Sequence, residues 1–131
     1  MGRTFAVIHL DANYLILGNQ KDSLEDGALR RWLRGNRVLA TSAIAWMEFV
    51  SGPVSAPAVE SIRHALGDRI LAFTAAEAEL AGTLFNAVGR RRVLRYDCMI
   101  AAAAIAAGAE LATRNRADFR LFAPHGLTLA T

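Results

Sequence analysis

Residues 5–17 read FAVIHLDANYLIL, an apolar run that ends at an aspartate and continues as a helical pattern. The first part, Phe5–Leu10, is apolar apart from one histidine, which predicts a strand buried on both faces. The second part, Ala12–Leu17, predicts a short helix. A buried strand that leads directly into a helix is typical of a parallel sheet covered by helices. Asp11 stands at the junction, at the carboxyl end of the predicted strand.

The rest of the chain repeats this alternation of strands and helices, with glycines and hydroxyl residues at the boundaries. Further strands are predicted at Val38–Thr41, Ile70–Phe73, Leu111–Thr113 and Leu127–Leu129. Helices are predicted at Ser23–Leu33, Ala43–Val50 (capped by Ser42), Pro57–Leu66 (ended by Gly67), Thr74–Val88 and Asp97–Ala107. No internal repeat or long linker interrupts them. We therefore expect a single α/β domain over residues 1–131, with a central parallel sheet and helices on both faces.

The composition excludes several classes of protein. Hydrophobic residues make up 53% of the 131 residues and charged residues 21%, so a core can form and disorder is not expected. The longest apolar run, Cys98–Ala107, is too short to cross a bilayer, and no secretory signal pattern is visible. The single cysteine excludes an internal disulfide or a Cys-rich zinc site. We expect a soluble cytoplasmic protein with no membrane segment.

The charge balance has two interpretations. The chain has 14 arginines and one lysine against 12 acids. If four of the acids form a metal site, the 15 basic residues face only 8 acids, an excess of seven positive charges. A basic surface around an acidic centre suits a polyanionic ligand. A coding bias that favours arginine over lysine explains the same composition equally well.

Three acids stand where a parallel sheet binds its ligands, beyond the carboxyl ends of the strands, and a fourth stands on an otherwise apolar helix, so that all four could converge on one edge of the sheet. Asp11 follows the first strand, Asp97 begins an apolar helix, and Asp118 follows the strand at Leu111–Thr113. Glu48 is the only charged residue in Ala43–Val50, and a glutamate that faces a core is rare unless it is paired or binds a cation. Each acid also has an ordinary explanation as a helix cap or a solvated side chain.

Together the four acids predict a divalent cation. Two carboxylates about 4 Å apart repel by roughly 4 kcal/mol at an effective dielectric near 20, so a cluster of four is costly without a counterion. Oxygen ligands select hard ions, which favours Mg²⁺ or Mn²⁺. His9, His64 and His125 share no metal-ligand spacing and are interpreted as core or surface residues.

The chain carries the following short motifs in order: residues 10–15 (LDANYL), 42–48 (SAIAWME), 96–102 (YDCMIAA), 113–115 (TRN) and 117–119 (ADF). This ordered set resembles the PIN-domain nucleases, and the length matches the VapC-type toxins of bacterial toxin–antitoxin pairs. The similarity spans nearly the whole chain. The chain departs from the family pattern at Ala12, where the family often has a hydroxyl residue beside the first aspartate.

The resemblance implies a metal-dependent endoribonuclease that hydrolyses RNA phosphodiester bonds. On this resemblance the catalytic and metal-binding acids are Asp11, Glu48, Asp97 and Asp118. The supporting polar residues are Asn13, Ser42, Thr113 and Asn115. A homodimer and a cognate antitoxin protein are also what the family implies.

Two groups of arginines flank the predicted site and are candidates for contacts with RNA phosphates. They are Arg90, Arg91, Arg92 and Arg95 before Asp97, and Arg114 and Arg116 around Asn115. The alternative for these arginines is a solvated loop face. The alternative for the whole chain is a non-catalytic RNA-binding or regulatory module on a PIN fold, which would bind RNA without metal-dependent turnover.

Overall fold

The computed structural model describes residues 6–131. Over these residues the chain forms four strands and seven α-helices. In chain order the elements are β1 (Val7–Leu10), α1 (Ala12–Leu17), α2 (Leu24–Arg34), β2 (Val38–Ser42), α3 (Ala43–Val50), α4 (Ala56–Leu66), β3 (Ile70–Leu71), α5 (Ala75–Ala87), α6 (Arg95–Ala106), β4 (Glu110–Ala112) and α7 (Arg116–Phe119), with 3₁₀ turns at Arg92–Leu94 and Arg120–His125.

The four strands form one parallel sheet in the order β3-β2-β1-β4, which confirms the predicted α/β fold. β1 lies between β2 and β4, with Ile8 opposite Leu39 on one side and His9 opposite Leu111 on the other. The chain crosses from β1 to β2 to β3 and then returns to the far side of β1. The strand order therefore reverses between β1 and β4, and a crevice is expected at their carboxyl ends.

Helices cover both faces of the sheet. Successive strand residues point to opposite faces, yet Ile8, His9 and Leu10 are all buried, as are all residues of Leu39–Ser42. The four buried alanines at 101–104 keep α6 slim where it packs over the sheet. His9 lies in this core, where burial lowers its pKa to about 4 and keeps the ring neutral.

Local sequence signals determine several helix ends as predicted. The Ser42 hydroxyl accepts a hydrogen bond from the Ala45 N–H at 3.1 Å and so caps α3. The Ser23 hydroxyl caps α2 in the same way, through the Asp26 N–H at 2.9 Å. Gly67 ends α4 at φ +59°, in the left-handed conformation that glycine adopts without strain.

Three predicted strands are shorter or displaced, because pairing stops where the neighbouring strand ends. β3 contains only Ile70–Leu71, since β2 turns into α3 after Ser42 and leaves the residues up to Phe73 without a partner. β4 ends at Ala112 rather than Thr113, since β1 ends at Leu10. β1 itself begins at Val7, and Phe5 lies outside the described residues.

The prediction of a closing strand at Leu127–Leu129 is wrong, because this segment forms only an isolated bridge to β4. It contributes a single bridge, in which the Leu111 N–H donates to the Thr128 carbonyl and the Ala130 N–H donates to the Leu111 carbonyl. Alternate residues of a strand direct their hydrogen bonds to opposite sides. In the three-residue β4, only the middle residue, Leu111, directs its backbone N–H and carbonyl away from β1. The closing segment can therefore pair with β4 at that one residue only.

Two predictions around the helices also change. The 3₁₀ turn at Arg92–Leu94 runs directly into α6, so Asp97 is the third residue of that helix rather than its first. Asp118 lies on the short helix α7 and not in a loop, because the buried Phe119 draws this turn against the core. At the start of α5 the Thr74 hydroxyl donates to the Glu77 carboxylate, which also accepts from the Thr74 backbone N–H. No helix within residues 6–131 is both long and apolar enough to cross a membrane.

Candidate active site

Asp11 forms the base of the candidate site at the carboxyl end of β1. Its backbone N–H continues the pairing with β4 by donating to the Ala112 carbonyl at 2.9 Å. Its carboxylate accepts a hydrogen bond from the Ala12 N–H at 2.8 Å, so Asp11 does cap α1 as the simpler interpretation requires. Burial is the main influence on this carboxyl and raises its pKa, while its hydrogen bonds lower the pKa in part.

A small polar network holds the Asp11 carboxylate to the segment after β4. The buried Thr113 hydroxyl donates to Asp11 Oδ2 at 2.8 Å and accepts from the Asn115 N–H at 3.0 Å. Asn13 donates to the same Oδ2 at 3.4 Å and accepts from the Arg114 N–H at 3.2 Å. Although Ala12 has no hydroxyl to contribute, Thr113 and Asn13 fix the orientation of this carboxylate.

Glu48 projects from α3 toward the same region. Its side chain is half-buried and has no hydrogen-bond or ion-pair partner within residues 6–131. Burial raises its pKa first, followed by repulsion from Asp11 and then from Asp97. Ser42, which was predicted as a supporting residue, acts locally by capping the helix that carries Glu48.

Asp97 lies close enough to Asp11 and Asp118 for both of their charges to act on its carboxylate. Burial raises its pKa to about 6, with further contributions from the negative charges of Asp11 and Asp118. The carboxylate lies in the first turn of α6, where the helix dipole favours an acid, but it accepts no cap hydrogen bond there. Asp118 is exposed on α7 at the outer edge of the group. The fold thus brings Asp11, Glu48 and Asp97 close enough to repel one another, and Asp118 close enough to repel Asp97.

The donor chemistry of this group suits a hard divalent cation, since every candidate ligand is a carboxylate oxygen. In the conformation described for residues 6–131, no three acidic, histidine or cysteine side chains are close enough together to hold one ion. No side-chain hydrogen bond restrains the Glu48 or Asp97 carboxylate. The histidines lie elsewhere: His9 is buried in the sheet, and His64 and His125 are exposed.

A comparison with protein-family models identifies the fold. The model described as the PIN domain matches residues 8–123. The chain belongs to the PIN-domain family. The predicted resemblance is therefore confirmed. A search of curated protein sequences gave no significant match for this PIN domain.

Solved structures similar to this PIN domain include several toxin–antitoxin complexes. A chain of a toxin–antitoxin complex from Klebsiella pneumoniae is 28% identical, with a TM-score of 0.68 over 86% of this chain and 89% of that one. VapBC2 from Rickettsia felis, bound to a DNA fragment of its promoter, is 22% identical with a TM-score of 0.68 over 95% and 97%. VapBC-1 from nontypeable Haemophilus influenzae is 18% identical with a TM-score of 0.70 over 95% and 96%. At 22% and 18% identity, the Rickettsia and Haemophilus structures show only that the fold is shared.

Two of the predicted phosphate-binding arginines in this PIN domain already have protein partners. Arg116 is half-buried and donates to the Ala130 carbonyl at 2.7 Å, which is a structural contact. Arg114 lies 4.0 Å from the carboxylate of Glu25, a buried acid that the sequence analysis did not select. The sequence shows Glu25 only as an acid in the first turn of α2, where it is expected for local reasons.

The arginines before Asp97 are mostly without partners. Arg90 is the exception, because its guanidinium donates to Asn86 at 2.5 Å and lies over the ring of Phe85. The other three are exposed and have no acidic or hydrogen-bonding partner within residues 6–131; they are Arg91, Arg92 and Arg95. Three uncompensated guanidinium groups beside a carboxylate cluster suit contacts to phosphates that approach the cluster.

We expect the double substitution Arg91→Ala and Arg92→Ala to weaken binding to single-stranded RNA and to reduce its salt dependence. Each lost phosphate contact reduces the slope of log K against log salt by about 0.7, so two contacts reduce it by about 1.4. The measurement is a salt titration of RNA affinity. Arg34→Ala is the matched control, because this exposed arginine ends α2 at the opposite edge of the sheet. An unchanged slope in the double variant would contradict the assignment.

Proposed function

We propose that this PIN domain is a metal-dependent endoribonuclease and the toxin of a toxin–antitoxin pair. The observation that carries the proposal is the group of four acids at the sheet edge, in which Glu48 and Asp97 are half-buried without any hydrogen bond, Asp11 repels both of them, and Asp118 repels Asp97. Such a group is destabilising by itself, and a bound divalent cation relieves it. The unpartnered arginines beside it favour a polyanionic substrate.

The proposed catalytic arrangement assigns a task to each residue. Asp11, Glu48, Asp97 and Asp118 would hold Mg²⁺ or Mn²⁺, which when bound lowers the pKa of a water and neutralises charge on the phosphate. Thr113 and Asn13 orient the Asp11 carboxylate by donating hydrogen bonds to it. The Thr113 hydroxyl also accepts a hydrogen bond from the Asn115 N–H. The free arginines position the RNA backbone.

The family resemblance and the toxin–antitoxin complexes support the proposed partners. We infer a cognate antitoxin protein, a homodimeric assembly, a cytoplasmic location and a single domain over residues 1–131. Apolar side chains that remain exposed on α1 and α3 suit a protein partner; they are Ile16, Met47 and Val50. These two helices pack against each other, so one partner surface can contact both.

Purified full-length chain incubated with total RNA and Mg²⁺, Mn²⁺ or EDTA tests the proposed function. We expect cleavage that requires the metal and disappears in Asp11→Asn, since asparagine retains the cap on α1 but removes the charge. Circular dichroism of the variant checks that the fold is retained. RNA binding without cleavage under any metal would overturn the nuclease and favour the non-catalytic module.

A further inference from the structure

His9 is a buried polar side chain that the proposed active site does not use. It lies on the inner strand β1 and is only 2% exposed, and its Nε2 has no hydrogen-bond partner within residues 6–131. Buried polar atoms of folded proteins nearly always have a partner, because an unpaired atom loses its hydration without compensation. The unpaired nitrogen therefore points to a group from outside the chain that completes its hydrogen bonding.

The His9 ring lines a cavity of about 310 Å³, which we call the His9 cavity. Its other lining residues belong to the end of β3 and the residue after it, to the first turn of α5 and to the last turn of α6. Most of them are exposed, so the cavity is open to solvent and the buried His9 forms its floor. Because the His9 side chain extends from the sheet and the helices lie over the sheet, the tip of the ring, which carries Nε2, is the part that faces the cavity.

The walls of the His9 cavity are small and apolar. α5 contributes Ala76, and α6 contributes Ala103, Ala106 and Ala107. Alanine side chains project little, so these walls offer a smooth apolar surface that a flat ring can contact over a whole face. The volume is at the lower end of the range of about 300–1,000 Å³ for small-molecule sites, and an apolar cavity of about 150 Å³ already admits benzene. The size therefore suits one aromatic ring with a short side chain.

Glu77 supplies the only formal charge among the lining residues within 6–131. Its carboxylate accepts a hydrogen bond from the Thr74 hydroxyl, which lowers the Glu77 pKa and keeps the group ionised near neutral pH. Glu77 is partly exposed, at the mouth of the cavity, whereas the neutral ring of His9 is buried at its floor. This arrangement favours a ligand with a cation at one end and a neutral hydrogen-bonding group at the other, and it disfavours an anion.

We propose that the His9 cavity binds a small arylalkylamine, with a neutral hydrogen-bonding group of its ring against His9 Nε2 and its ammonium group beside Glu77. None of the four acids of the candidate active site is among the lining residues, so this is a separate site. The inference goes beyond the proposed function and does not depend on it, because binding requires neither a metal ion nor RNA.

Titration calorimetry of the full chain in EDTA, without RNA, tests the site with tyramine, phenethylamine and 4-ethylphenol. Phenethylamine lacks the hydroxyl group of tyramine, and 4-ethylphenol lacks the ammonium group. We expect one tyramine to bind per chain. Phenethylamine should bind about tenfold more weakly, because Nε2 stays unpaired, and 4-ethylphenol about two- to fivefold more weakly, because an exposed ion pair contributes little. Absence of saturable tyramine binding, or equal affinity for the three compounds, would overturn the proposal.

Three variants locate the bound amine. His9→Leu keeps an apolar side chain of similar size without Nε2, so it should bind tyramine and phenethylamine equally well. Ala106→Leu fills the cavity from an exposed position of α6 and should abolish binding of all three compounds with the fold retained. Ala78→Leu is the matched control, because Ala78 is exposed on α5 and does not line the cavity. Wild-type affinity in Ala106→Leu, or an unchanged preference for tyramine in His9→Leu, would show that the amine does not bind as proposed.

Discussion

Replacing Asp97 with asparagine is expected to abolish RNA cleavage and, in metal-free buffer, to raise the melting temperature. The carboxylate is half-buried among negative charges and accepts no hydrogen bond at the start of α6. Its removal relieves repulsion with Asp11 and Asp118 but also removes a candidate metal ligand. Loss of a residue that merely orients a ligand costs about 10–100-fold, so loss of the ligand itself should exceed about 100-fold in cleavage rate.

The stabilisation by Asp97→Asn should depend on pH. Asp97 has a pKa of about 6 in the folded chain, above its ordinary value of 3.8, so the folded state binds the proton more tightly than the unfolded state. Ionisation therefore destabilises the fold, and this penalty is fully present above pH 6. The difference in unfolding free energy between variant and wild type should shrink as the pH falls from 6 toward 4. The buried His9, with a pKa of about 4, destabilises both proteins over the same range and cancels in the difference.

Denaturant unfolding at pH 7.5 and pH 4.5, with EDTA present, measures this effect. Glu79→Gln is the matched control, because Glu79 is exposed on α5 and is not among the charges that shift Asp97. It should change neither cleavage nor the pH dependence of stability. A clear fall in melting temperature for Asp97→Asn at pH 7.5 would mean that the carboxylate mainly stabilises the first turn of α6.

Replacing Thr113 with valine is expected to weaken Mg²⁺ binding by about 10–100-fold, the usual cost of removing a partner that orients a metal ligand. The valine has nearly the same shape but removes the hydroxyl that donates to Asp11 Oδ2 and accepts from the Asn115 N–H. The Asp11 pKa should rise further, because this hydrogen bond lowers it. Asp11 Oδ2 would keep only the 3.4 Å hydrogen bond from Asn13 and the Asn115 N–H would lose its acceptor, so we expect a loss of about 1–3 kcal/mol in stability.

The increase in melting temperature with added Mg²⁺ measures this loss of affinity. Thr41→Val is the matched control: Thr41 is equally buried, but its hydroxyl donates to the Leu10 carbonyl at 2.6 Å rather than to a carboxylate. It should lower stability and leave the response to Mg²⁺ unchanged. Thr113→Ser should restore binding. Equal responses in the two valine variants would show that Thr113 is only a structural residue.

Much of the fold could be predicted because the decisive signals are local. Ser23, Ser42 and Gly67 mark helix boundaries within a few residues of the bonds that they make. The errors fall where the outcome depends on a neighbour. The end of β3 depends on β2, and the segment around Leu129 depends on the single outward-facing residue of β4.

The sequence by itself determined the alternation of strands and helices and the family, and it singled out the four acids as candidates, because each of these is expressed in residue type and short-range spacing. Only the tertiary structure decided which arginines have protein partners and which are left free to bind a ligand. Arg116 is engaged by a carbonyl 14 positions away and Arg114 lies beside the buried Glu25, whereas Arg91 and Arg92 are left unpartnered within the described residues. The environment of a charge depends on residues that folding brings together, and spacing along the chain does not encode that environment.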